Sequence, residues 1–68
     1  MKPEWKVRLT SYKSTWYWFT TNPAGGGFGS NHSGSQRLAK VKALRGIPVG
    51  SLYELDLNGK ITVEVKEK

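Results

Sequence analysis

At 68 residues the chain is one small domain, near the size at which a single hydrophobic core barely suffices, and that core is expected to supply on the order of 3–5 kcal/mol. Eleven Lys and Arg stand against five Asp and Glu, for a formal net charge of +6, with one His and no Cys. These numbers exclude a disulfide framework and a thiolate metal site, and no apolar run approaches the roughly 20 residues of a membrane span. The opening Met1-Lys2-Pro3-Glu4-Trp5 lacks the apolar stretch of a signal peptide, so the expectation is a cytoplasmic protein with no membrane partner.

Trp5 to Ser11 alternates apolar and polar residues, the period of a half-buried strand with Trp5, Val7 and Leu9 on its core side. Thr15 to Thr21 is rich in aromatic and β-branched residues and reads as a second strand, apolar on both faces through Trp16-Tyr17-Trp18-Phe19. An even loop, such as Lys13-Ser14 or Ser11 to Ser14, puts Trp16 and Trp18 on the core side and sets Tyr17 and Phe19 outward beside Lys6 and Arg8, and it is preferred because Trp buries more apolar area. An odd loop exchanges the two pairs. Residues 22–35 hold most of the glycines with Pro23 and several Ser and Asn, and read as a long mobile loop.

Ser35 is placed to cap a helix over Gln36 to Arg45, closed by Gly46 and Pro48. Leu38, Val41 and Leu44 are its expected buried stripe, flanked by Arg37 and Arg45, while Ala39 and Ala43 join Lys40 and Lys42 on a slim basic outer face. Leu52 to Lys66 reads as a hairpin around Asn58-Gly59. Matching its apolar residues across the strands favours a three-residue loop through Lys60, so that Leu57 faces Ile61, Leu55 faces Val63 and Glu54 faces Glu64. The expected fold is α+β in the order ββαββ, a four-stranded antiparallel sheet with one helix packed on one face; a small open barrel of the same strands is the alternative.

Charge distribution points to a class of partner. No acidic residue lies between Trp5 and Tyr53, a stretch containing Lys6, Arg8, Lys13, Arg37, Lys40, Lys42 and Arg45, and four of the five carboxylates fall in the last 18 residues. Phosphate backbones are the commonest polyanion for such a surface. The expected function is nucleic-acid binding, DNA or RNA, with Lys6, Arg8, Arg37, Lys40, Lys42 and Arg45 on phosphates and Tyr17 and Phe19 stacking on bases. The competing structural reading is that Lys6 and Arg8 neutralise Glu54, Asp56 and Glu64 across the sheet while Tyr17 and Phe19 cover it or enter a homodimer. A different class of function, a regulator or inhibitor docking on an acidic protein surface, fits the same features.

Enzyme chemistry is not expected. His32 sits among serines without an orienting carboxylate, and the Gly-rich loop lacks the Gly-Lys-Ser/Thr of a phosphate-binding loop. The glycines and the following helix start could hold a phosphate near Ser33, Ser35 and Arg37, but a flexible linker tethered by Phe28 explains them better. No cofactor and no metal is expected, since one His and no Cys leave only oxygen ligands without calcium-loop spacing.

Overall fold

The computed structural model describes residues 3–67. In chain order it contains β1 (Trp5–Tyr12), β2 (Thr15–Thr21), β3 (Gly27–Ser33), α1 (Gln36–Leu44), β4 (Leu52–Leu57) and β5 (Lys60–Val65). The strands form one open sheet in the order β3-β2-β1-β4-β5. The fold is therefore α+β with one helix, as expected, but the sheet has five strands rather than four, is mixed rather than antiparallel, and is not a barrel. β1 and β4 are parallel, and α1 supplies the crossover that a parallel arrangement requires, leading the chain from β3 back to β4.

The first hairpin turns on Lys13 and Ser14, both with positive φ (48° and 65°), the tight two-residue turn whose twist matches the strands. Its register pairs Leu9 with Trp18 and Arg8 with Phe19. Trp16 and Trp18 consequently lie on the helix side, and Tyr17 and Phe19 on the open side. The segment 22–35, read from sequence as loop, contains β3. Asn22 makes the return possible: its side-chain oxygen accepts from the Gly26 N–H (3.0 Å) and its carbonyl from the Gly25 N–H (3.0 Å), with Gly25 at φ 96°. Backbone pairing to β2 needs no side chains, so a Gly/Ser run can extend the sheet. Phe19 takes the space that side chains would occupy, since a Cβ on Gly27 or Gly29 would come within 2.7 Å of its ring.

Helix α1 starts where expected, with the Ser35 hydroxyl accepting from the Leu38 N–H. Its buried face differs from expectation. Ala39 and Ala43 are 0% exposed, whereas Leu38 and Val41 point to solvent and only Leu44 of the expected stripe packs on the core. Volume explains the rotation. The helix lies over β2, β1 and β3, where Trp16 and Trp18 already project, Trp18 meeting Phe28 edge-on at 5.7 Å, so only methyl groups fit between helix and sheet. Thr20, fully buried in β2, anchors the contact by donating its hydroxyl to the Ala43 carbonyl at 2.6 Å. Val7, Leu9, Ile47, Tyr53 and Leu55 complete the core.

The C-terminal hairpin also corrects the expected register. Its turn holds two residues, Asn58 (φ 50°) and Gly59 (φ 93°), and pairs Leu57 with Lys60, Asp56 with Ile61, Glu54 with Val63 and Tyr53 with Glu64. Ile61, Val63 and Val65 thus face the open side, and Glu64 faces the helix side. The expected loop assumed that every apolar residue of β5 belongs to the core, but α1 sits over β1–β3 and does not reach that far. Asn58 fixes the turn instead. Its N–H donates to the Leu9 carbonyl (2.9 Å), its Oδ1 accepts from the Ser11 N–H (3.0 Å), and Asp56 Oδ1 accepts from the Gly59 N–H (2.8 Å).

Candidate nucleic-acid interface

The eight residues expected to contact nucleic acid divide between two opposite surfaces. Lys6, Arg8, Tyr17 and Phe19 lie on the open face of the sheet; Arg37, Lys40, Lys42 and Arg45 lie on the helix layer behind it. On the open face Tyr17 and Phe19 are both exposed, with Phe19 beside Arg8 and Tyr17 beside Thr10. Of the expected ring–cation neighbours only Phe19 and Arg8 stand level; Lys6 is paired with Thr21 and Tyr17 has no cation beside it on β1.

Parallel pairing of β1 with β4 adds carboxylates to that face. Lys6 stands level with Glu54, and Arg8 with Asp56, whose Oδ2 lies 3.9 Å from Arg8 Nε. The guanidinium stays largely exposed and the contact is long, so the pair is weak. Its consequence is electrostatic rather than energetic: two cations and two carboxylates share the centre of the sheet and largely cancel at a distance. They frame a shallow depression of about 330 Å³ with Phe19 and Thr21.

The helix layer is different. Arg37, Val41 and Arg45 recur at four-residue spacing on the side opposite Ala39 and Ala43, with Leu38 and Lys42 on the adjacent stripe. Arg37, Lys42 and Arg45 are exposed, and among the described residues no carboxylate lies within ion-pair distance of them. Lys40 is turned the other way and is occupied, its Nζ 3.2 Å from Glu64 Oε1. Three outward cations on one short helix and its C-cap therefore remain without an ion pair among the described residues, Arg45 alone sharing a groove with Glu64 and Glu67.

Between α1 and the uncovered half of the sheet runs a groove of about 790 Å³, lined in part by Lys40, Leu44, Tyr53, Glu64 and Lys66. Glu64 is its polar centre, accepting from the Tyr53 hydroxyl (2.8 Å), Lys40 Nζ (3.2 Å) and the Thr62 hydroxyl (3.3 Å). The Tyr53 hydrogen bond, with Lys40 beside it, holds the Glu64 carboxyl below its ordinary range against the opposing effect of burial. Burial, reinforced by the hydrogen bond to Glu64 and its charge, pushes the Tyr53 hydroxyl well above its ordinary value. Lys66 reaches under the helix end and donates to the Leu44 and Ile47 carbonyls (2.7 and 3.1 Å), a cation at a helix C-terminus. These groups satisfy one another, and the arrangement is structural.

Sequence reasoning did not identify the Tyr53–Glu64–Lys40 set, because it depends on the β5 register. It did raise Lys6 and Arg8 as partners for the C-terminal carboxylates. Among the described residues no three His, Asp or Glu side chains come together as a metal site, and no helix is long and apolar enough to cross a membrane. His32, half-buried on β3 opposite Trp16, is on the helix side of the sheet. No family model matches the chain, and neither a curated protein nor a solved structure matches it.

Proposed function

We propose that this protein binds nucleic acid through the outward face of α1, where Arg37, Lys42 and Arg45 contact phosphates. The observation that carries the reading is that these three exposed cations make no ion pair among the described residues, with only Arg45 sharing a groove with Glu64 and Glu67, whereas on the opposite surface Arg8 lies 3.9 Å from Asp56 and Lys6 stands level with Glu54. Arg37 to Arg45 spans about 12 Å of helix, over which one strand of B-form DNA presents three to four phosphates at about 3.4 Å rise. No acidic side chain on the helix opposes that approach. Tyr17 and Phe19 are exposed, which supports stacking on bases, but the neutral field around them gives a phosphate chain little reason to settle there, so the helix carries the function.

The test is the salt dependence of binding, read by fluorescence anisotropy with labelled single-stranded and duplex oligonucleotides on nuclease-treated protein. Three phosphate contacts predict that log affinity for duplex falls against log salt with a slope of about −3 between roughly 50 and 200 mM. Replacing all three cations, as R37Q/K42Q/R45Q, should bring the slope close to zero; Gln is a good helix former at exposed positions, so the fold is retained. An unchanged slope in that variant, or no binding by the native protein at micromolar concentration in low salt, overturns the proposal. A variant lacking the sheet rings, Y17A/F19A, should bind duplex like the native protein.

A further inference from the structure

The open face of the sheet is not the polar surface a solvated sheet usually presents. Crossing it from β2 to β5, perpendicular to the strands, one meets an aromatic stripe (Tyr17, Phe19), a basic stripe (Lys6, Arg8), an acidic stripe (Glu54, Asp56) and an aliphatic stripe (Ile61, Val63). Phe19 is 51% exposed and Ile61 59% exposed, a large apolar area to leave in water. The stripes are antisymmetric about the seam between β1 and β4: what lies on one side is matched at the same distance on the other by its chemical complement.

From this pattern we infer that the open face is a self-complementary interface on which a second copy of the chain docks, sheet against sheet, about a two-fold axis running parallel to the strands along the β1–β4 seam. Such an axis carries β1 over β4 of the partner and β2 over its β5, and leaves each residue at its own height along the strand. The register then fixes the contacts. Arg8 is level with Asp56 and Lys6 with Glu54, so each cation faces the partner's copy of the acid it already neighbours. Phe19 is level with Arg8, and Ile61 with Asp56, so Phe19 covers the partner's Ile61; by the same count Thr21 meets the partner's Val63. Every charge gains an opposite charge and Phe19 gains an aliphatic surface, while Tyr17, level with Thr10, lies at the height of the β4–β5 turn and stays at the rim.

Displacing the axis by one strand in either direction loses this match. An axis on β1 sets Lys6 and Arg8 over their own copies, and one on β4 does the same to Glu54 and Asp56, so like charges meet. The depression at the centre, framed by Lys6, Arg8, Glu54 and Asp56, leaves room for water between the sheets and limits the desolvation that a sealed ion-pair cluster would suffer. Four overlapping strands at about 4.8 Å spacing give a small footprint, which places the association among weak, micromolar dimers. The helix lies on the other side of the sheet, so the inference is independent of nucleic-acid binding, and either can fail alone.

The experiment is sedimentation of nuclease-treated protein from about 10 to about 500 μM, a range set by that small interface. The native chain should shift from monomer to dimer. K6E/R8E makes the face wholly acidic and E54K/D56K makes it wholly basic, so each should dimerise at least about tenfold more weakly, while an equimolar mixture should form a heterodimer at least as tight as the native dimer. A native protein that stays monomeric over the whole range overturns the inference. So does a mixture of the two folded variants that does not associate. Should either charge variant fail to fold, Ile61→Asp, at a position already in water, gives the deciding result: loss of the dimer supports the interface, and native-like dimerisation overturns it.

Discussion

Glu64 occupies a place that the periodicity of β5 would assign to the outer face, and it shows how a single polar residue adapts to a helix that stops short. Facing the groove beside α1, it is held as a carboxylate by Tyr53 and Lys40. Because its folded pKa is depressed, the stability it contributes is present above its ordinary value of 4.5 and is lost as pH falls below that value. Tyr53 has the opposite sign. Its hydroxyl is pushed upward, so its contribution is complete below the ordinary value of 10.0 and is lost as pH rises beyond it. Urea midpoints measured across pH should therefore fall at both ends. E64Q should flatten the acid limb and Y53F the alkaline limb, and an E64Q profile that still falls as steeply below pH 4.5 would assign that limb to other carboxylates. Elsewhere in the core the bookkeeping of polar groups is less complete, since Trp18 Nε1 is buried without a hydrogen-bond partner among the described residues.

At the level of elements, the helix was legible in its start, because Ser35 caps it through local chemistry, and in its end to within a residue, although Gly46 takes no positive φ and the chain leaves through tight turns from the Arg45 N–H to the Lys42 carbonyl and from the Ile47 N–H to the Leu44 carbonyl. Which face it buries was not. Leu38, Val41 and Leu44 form the more hydrophobic stripe, yet the volume under α1 is filled from β2 by Trp16 and Trp18, and only Ala39 and Ala43 fit. Substitution at these positions should therefore invert the usual ranking. Ala43→Leu should destabilise by about 1–3 kcal/mol through overpacking, whereas Val41→Ala should change stability by no more than about 0.5 kcal/mol, both read from urea unfolding. Equal effects would mean that the helix rotates freely on the sheet. β3 was illegible for a related reason: its glycines say nothing of strand propensity, and their use becomes plain only once the Phe19 ring is seen lying where side chains would stand. The β1–β2 turn was readable because burying two Trp outweighs burying Tyr and Phe, while the β4–β5 turn was misjudged because burial does not decide a strand that no helix covers.

For the whole molecule, the absence of acids between Trp5 and Tyr53 was plain in the sequence, and what it leaves exposed depended on one long-range fact, that β1 lies parallel to β4. That pairing balances Lys6 and Arg8 locally and divides the expected site in two. A sheet and its core separate the surfaces, so their substitutions share no partner and should act independently. R37Q/K42Q/R45Q should lower the salt slope of oligonucleotide binding without moving the sedimentation equilibrium, and Ile61→Asp should do the reverse. Dimerisation has one indirect effect on binding that this scheme also specifies. Face-to-face association turns both helices outward, so each copy offers its cations to a different stretch of nucleic acid, and affinity for a short duplex that spans one helix should be the same for monomer and dimer. If Ile61→Asp weakens binding to such a duplex, the two surfaces are coupled, and the open face would then have to contribute to nucleic-acid contact directly.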